Sequence, residues 1–168
     1  MQTHSRFSLG LRAAAAGLMA VAVISLAAPA AFAGGCPADK KVADGLGQAK
    51  SDAKAVGVTD TVIVSTDLAK EPVGINDRLF RLRRLVIQPG GIVPWHSHAD
   101  RPALITIISG EIVEYASDCA EPIVHKAGDS VAETHTTAHW WKNTGKATVV
   151  LLSADLLHNQ PGMDEHMM

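Results

Sequence analysis

Two histidines one residue apart, His96 and His98, are the side chains in this sequence best placed to do chemistry. They follow a Pro-Gly-Gly run and precede β-branched residues, which is typical of a β-strand. Residues i and i+2 of a strand point to the same face, so both imidazoles should project together. A third histidine, His139, lies in another strand-like segment. Three neutral imidazoles suit Zn, Cu, Fe, Ni or Mn, and the sequence predicts a site for one divalent transition metal.

A site with three protein ligands leaves coordination positions open for water or for a substrate. Such a site can assist catalysis or simply hold a ligand, and the sequence leaves both open. A further alternative is a metal-free scaffold in which the three histidines form hydrogen bonds in the core. The sequence contains no nucleophile elbow, no phosphate loop and no basic patch with interleaved aromatic residues.

The elements that must position these histidines are short strands joined by turns that contain Gly or Pro. The predicted strands are residues 61–64, 78–88, 92–98, 103–109, 111–115, 123–126, 130–132, 139–143 and 147–155. This pattern predicts an all-β sandwich or barrel over residues 61–158. In strand 78–88, the even-numbered residues, which include Phe80 and Leu82, are mostly apolar and are expected to face the interior.

The segments outside the barrel have different patterns. Apolar residues recur at helical spacing over residues 37–56, so the N-terminal extension, residues 34–60, is expected to be partly helical, although Gly45 and Gly47 weaken that pattern. Residues 159–168 are polar and Met-rich and are expected to form a flexible tail.

The first 33 residues predict a secretory signal peptide, with a basic start, an apolar core and cleavage after Ala33. Two alternatives stay open: an uncleaved membrane anchor, and a lipoprotein modified at Cys36. Cleavage implies a periplasmic or secreted protein without stable membrane association. The segment holds two of the 15 basic residues and none of the 17 acidic ones, which leaves a net charge of −4 for the remainder. That charge argues against a general nucleic-acid binder.

The two cysteines, Cys36 and Cys119, both lie after the predicted cleavage site. In an exported protein they are candidates for a disulfide that ties the N-terminus to a hairpin turn. The alternative is two independent small residues, and the sequence does not decide between them.

Two groups of residues together resemble the two motifs of the cupins. The first motif, two glycines around a His-x-His pair, reads Gly90, His96, His98, Ala103 and Gly110. The second reads Gly128, Thr134, Thr136, His139 and Asn143. The resemblance covers residues 78–155 and implies a double-stranded β-helix, that is a jelly-roll barrel, here with a short N-terminal helix.

Cupins commonly bind a divalent metal with two histidines and a glutamate from the first motif and one histidine from the second. The resemblance therefore implies that His96, His98 and His139 are metal ligands. Ala103 stands at the glutamate position and cannot coordinate, which should shift preference from Mn²⁺ towards softer or more nitrogen-loving metals. The residues close enough in sequence to compensate are Asp100, Glu133 and His135.

Cupins with three histidines and no glutamate include thiol-dioxygenase-like members. The resemblance therefore implies a metal-dependent, oxygenase-like enzyme acting on a small organic molecule. The alternative is a non-catalytic periplasmic module that binds a metal or a small ligand, which Ala103 slightly favours. Homodimers are common among cupins, so a homodimer is a further expectation.

Strand parity indicates which residues surround the metal. Trp141 and Asn143 share the face of His139, and Ile105 and Ile107 share the face of Ala103. The pocket candidates are Ala103, Ile105, Ile107, His135, Trp141 and Asn143. Arg101 is the candidate to meet an anionic ligand at the rim, against the alternative of a solvated loop charge. His125 is expected on an outer strand and without a role as a metal ligand.

Overall fold

The computed structural model describes residues 34–159. The predicted signal peptide, residues 1–33, and the predicted tail beyond Asn159 lie outside these residues. Two short 3-10 turns, Ala38–Lys40 and Leu68–Lys70, accompany the strands. The strands are β1 (Val56–Asp67), β2 (Arg78–Ser97), β3 (Ala103–Ser109), β4 (Glu111–Ala116), β5 (Ile123–Lys126), β6 (Ser130–Glu133), β7 (Ala138–Lys142) and β8 (Val149–His158).

All strand pairs in the described part of the chain are antiparallel. The order is β5-β4-β7-β2-β8-β3-β6, with β1 added on β2. This curled sheet is an all-β jelly-roll barrel, which confirms the predicted fold class. Between residues 34 and 159, no helix has the length and apolar character needed to cross a membrane.

Strand β2 is longer than the sequence predicts, because Pro89–Gly91 bends the strand without ending it. Before the bend, β2 pairs with β8, and after it, with β7. Gly90 has φ +77°, a conformation that glycine adopts without the steric cost of a Cβ. One continuous strand therefore passes from one partner to the other and carries His96 at its far end.

The orientation of β2 is opposite to the prediction. Arg81 and Arg83 are buried with Leu85 and Ile87, whereas Phe80 is 48% exposed. A strand normally turns its more apolar face towards the interior, but buried arginines are tolerated when carboxylates pair with them. Here Asp60 and Asp155 supply that pairing from β1 and β8.

The N-terminal extension is almost without helix, and only the turn at Ala38–Lys40 meets the expectation. Backbone hydrogen bonds instead attach residues 42–48 to the segment 116–118. Gly47 packs so closely that a Cβ would lie 2.6 Å from the carbonyl oxygen of Ala116. Cys36 and Cys119 form a disulfide with Cα atoms 5.8 Å apart, which holds the extension to the barrel.

The apolar core fills the part of the barrel next to the histidines. It comprises Leu85, Ile87, Val93, Ala103, Ile105, Ile107, Ile112, Trp141, Val149 and Leu151. Fully burying an aliphatic side chain of this kind stabilises the fold by about 1.5–3 kcal/mol. The core thus gives the histidines a rigid wall on one side.

Candidate metal centre

Three histidines converge where β2 and β7 pair. His96 lies directly opposite His139 in the register, and His98 follows the last residue of β2. Each of the three Nε2 atoms lies 3.1 Å from the other two. The sequence prediction that these residues come together therefore agrees with the geometry.

The other ring nitrogen of each histidine faces an acceptor. His96 Nδ1 donates to the carbonyl oxygen of Pro94 at 2.9 Å, and His98 Nδ1 donates to that of Arg101 at 2.7 Å. His139 Nδ1 donates to the carboxylate of Glu114 at 2.5 Å. In its neutral form each imidazole then carries its single proton on Nδ1, which leaves the Nε2 lone pair directed at one common point.

Three convergent lone pairs repel one another unless a cation lies between them. The circle through the three Nε2 atoms has a radius of about 1.8 Å, so one point can lie about 2.1 Å from all three, the usual metal–nitrogen distance. Burial, followed by the charge of His139, lowers the pKa of His98 to about 4 and that of His96 well below its usual value. Both imidazoles are thus neutral near pH 7, and the donor set fits a divalent transition metal.

Glu114 orients His139 and is a residue that the sequence analysis missed. It is 2% exposed and accepts from His139 Nδ1 at 2.5 Å and from His125 Nε2 at 2.7 Å. Burial opposes its ionisation, but the charge of His139 and these two hydrogen bonds outweigh burial and lower its pKa to about 2. The only feature of the sequence that points to Glu114 is that this charged residue lies on the same face of β4 as the apolar Ile112.

His125 lies on β5, an end strand of the sheet order, yet its side chain is part of this arrangement. Its side chain is 1% exposed, and its ring stacks on Trp141 with centroids 4.5 Å apart. The indole N–H of Trp141 in turn faces the ring of His139, 3.1 Å from Nδ1. Because Glu114 accepts from both histidines, the four side chains form one buried network.

None of the three candidate replacements for the missing glutamate joins the three histidines. Asp100 pairs instead with Arg78 and His158, and His135 is exposed. Glu133 lies opposite Ala103 in the register, but its carboxyl contacts His139 on the Nδ1 side, at 3.6 Å. Burial raises the pKa of Glu133 to about 8.

A cavity of about 30 Å³ lies against the three histidines. Its lining comprises Arg83, Leu85, His96, His98, Ile105, His139, Trp141, Leu151 and Ser153. Of the pocket candidates, Ile105 and Trp141 therefore line it. Ala103 and Ile107 are buried in the apolar core instead, and Asn143 fixes a turn by donating to the carbonyl oxygens of Ile87 and Ala147.

A cluster of charged side chains lies beside this cavity, and sequence reasoning missed it. Arg81 holds Asp155 with two hydrogen bonds of 2.9 and 2.8 Å, and Arg83 donates to Asp60 at 2.5 Å. Arg101 reaches into the same cluster, 3.9 Å from Asp155, and does not lie at the rim as a solvated charge. Arg81 and Asp155 are register partners, but their separation in sequence hides this pairing.

Residues 83–155 match the family model of the Cupin domain, and no curated protein matches this chain in sequence. A predicted oxalate decarboxylase from Thermotoga maritima is 23% identical, with a TM-score of 0.49, over 60% of this chain and 80% of that one. The Schizosaccharomyces pombe Cnp3 cupin domain is 15% identical, with a TM-score of 0.48, over 63% and 65%.

An oxalate oxidase in complex with glycolate is 22% identical to this chain, with a TM-score of 0.46. The match covers 63% of this chain and 53% of that enzyme, so the chain spans about half its length. At these identities and TM-scores, the solved structures carry no information about what this chain binds.

Proposed function

The chain is a cupin over residues 83–155, and from this premise we propose that it binds one divalent transition metal through His96, His98 and His139. The observation that carries the proposal is the meeting of three Nε2 atoms, each 3.1 Å from the others. Each ring is held by an acceptor on its Nδ1, the arrangement that orients metal-binding histidines.

We further propose that the metal serves a reaction of the oxygenase type on a small organic molecule. A divalent transition metal bound here supplies a Lewis acid and, for iron or copper, a redox centre. The chain contributes the positioning: Glu114 fixes the tautomer of His139, while Ile105 and Trp141 help to exclude bulk water. A cavity of about 30 Å³ restricts access to small groups.

The alternative is a non-catalytic module that binds a metal or a small ligand. It is favoured by the small cavity and because, among residues 34–159, no carboxylate groups with all three histidines; Glu114 and Glu133 group with His139 alone. In either case we propose a periplasmic or secreted protein, since the predicted signal peptide and the Cys36–Cys119 disulfide both support export.

Metal analysis of the untagged protein tests the proposal. We expect one transition-metal ion per chain by mass spectrometry after purification or reconstitution, and loss of that ion in His96→Ala and His139→Ala. His135→Ala, an exposed neighbour, is the matched control and should keep the metal. A wild-type protein that binds no metal after reconstitution contradicts the proposal. Oxygen uptake with a panel of thiols and phenolics then separates the oxygenase from the binding module.

A further inference from the structure

The outer face of the sheet is apolar where β2, β8 and β3 lie side by side. In β8, the buried residues alternate with outward positions that are all apolar from Val150 to Leu156. The register places Leu156 beside Phe80 of β2. It also places Ala154 beside Leu104 of β3. A sheet face that meets only water normally carries polar residues, so this apolar surface needs an explanation.

A groove of about 450 Å³ opens on this face. It lies between the connection from β1 to β2 and the strands β3 and β6, and its mostly apolar lining includes Val73, Ile75, Phe80, Leu104 and Leu156. Glu133 and Asp155 also border the groove, but both are buried, and their carboxyls contact His139 and Arg81 inside the barrel. Among residues 34–159, no lysine or arginine lines the groove. The groove therefore fits apolar, uncharged groups.

The area of this surface is large enough for a stable protein contact. Five of its side chains are 42–62% exposed and are here called the outer apolar face: Val64, Val73, Ile75, Phe80 and Leu104. Together they expose on the order of 400 Å² of apolar surface, and a patch of this size marks an interaction site. With the half-buried residues between them and a polar rim, the surface approaches the roughly 800 Å² that each partner contributes to a stable dimer.

From these observations we propose that two copies of this chain pack their outer apolar faces against each other. A two-fold interface brings the same patch of both copies into contact. Because the five side chains are uncharged, two copies meet without like-charge repulsion. The exposed Phe80 and Leu104 of one copy then enter the groove of the other, as side chains interdigitate where two sheets pack.

A membrane surface fits the outer apolar face less well than a second copy does. Side chains that anchor a protein at lipid headgroups are mostly Trp, Tyr, Lys and Arg, and the five side chains include none of these. The net charge of −4 predicted for the chain after residue 33 also opposes binding to anionic lipids. The observations therefore favour contact between two copies.

The experiment is sedimentation velocity of the untagged protein over a range of concentrations, with and without added zinc. We expect the mass of two chains at about 10 μM, a concentration that populates an interface of this size. The mass should not depend on zinc, because the outer apolar face lies on the outside of the barrel, so failure of the metal assignment leaves this test unaffected. Phe80→Glu and Leu104→Glu should each weaken dimerisation about 100-fold or more, because the interface would bury two unpaired charges.

Val124→Glu is the matched control, since Val124 is 46% exposed and lies on β5, a strand that contributes nothing to the outer apolar face. It should leave the dimer intact, and circular dichroism should show that all three variants keep the fold. A wild-type monomer at about 100 μM overturns the proposal, as does a dimer that Phe80→Glu and Leu104→Glu leave intact. Binding of monomeric wild type to phosphatidylcholine vesicles, lost in Leu104→Glu, also overturns it and assigns the face to a membrane.

Discussion

Replacing Glu114 with glutamine should weaken metal binding at the three Nε2 atoms, although its carboxylate lies on the Nδ1 side of His139. Its carboxylate accepts from His139 Nδ1 at 2.5 Å and from His125 Nε2 at 2.7 Å, both buried. A glutamine carbonyl can accept from only one of them, and its amide must face the other. If the amide faces His139, that ring moves its proton to Nε2 and loses the lone pair directed at the metal.

If the carbonyl faces His139 instead, the geometry survives but the negative charge that raises the basicity of the ring is lost. Loss of such a partner lowers metal affinity about 10- to 100-fold, which corresponds to about 1.4–2.7 kcal/mol. Competition against a zinc chelator measures this affinity directly. Glu111→Gln, an exposed carboxyl on the same strand, is the control and should match wild type. A Glu114→Gln affinity within threefold of wild type would refute the role given to this network.

Three further outcomes concern stability, measured by urea unfolding of the metal-free protein. Asp155→Asn removes the partner of buried arginines and should cost about 3–5 kcal/mol; a loss below 1 kcal/mol would contradict the pairing. The double variant Cys36→Ala/Cys119→Ala should lose about 4 kcal/mol, because the disulfide closes a loop with a sequence separation of 83, and a variant as stable as wild type would contradict this. Burial raises the pKa of Glu133 from 4.5 to about 8, so the folded protein keeps a proton that the unfolded chain releases, and wild-type stability falls as pH rises from 4.5 to 8. The stability of Glu133→Gln should not fall over this pH range, and at pH 8 the variant should be more stable than wild type by on the order of 1–3 kcal/mol. Glu121→Gln, at an exposed position, is the control and should keep the wild-type pH dependence. Parallel pH profiles of stability for the two variants would contradict the role given to Glu133.

The local part of the candidate metal centre could be predicted from the sequence. His96 and His98 share a strand face by spacing alone, and the parity of β7 places Trp141 on the side of His139. Both inferences need only the repeat of two residues along a strand. The barrel itself was predictable because short strands and Gly- or Pro-containing turns alternate over most of the chain.

The residues that support the histidines could not be predicted in the same way. The orientation of Arg81 and Arg83 depends on Asp155, which lies more than 70 residues later in the sequence. Hydrophobicity alone therefore assigns the wrong face of β2 to the interior. Glu114 and His125 are recognisable only once β4, β5 and β7 are known to be neighbours. Charges buried through long-range pairing are therefore the features that local patterns miss.

The failed helix prediction has a comparable cause. Apolar residues do recur at helical spacing over residues 37–56, but tertiary contacts determine the conformation of this segment. Gly47 packs against the backbone of Ala116, and the Cys36–Cys119 disulfide fixes the start of the segment on the barrel. Local helix propensity is weak enough to be overridden by such contacts.

X-ray absorption at the metal edge of the reconstituted protein tests the central claim most directly, because it counts the imidazole ligands of the ion. The three convergent Nε2 atoms of His96, His98 and His139 predict three imidazoles in wild type and two in His98→Ala. A spectrum with no imidazole or only one, or a wild-type spectrum that His98→Ala leaves unchanged, would contradict the account.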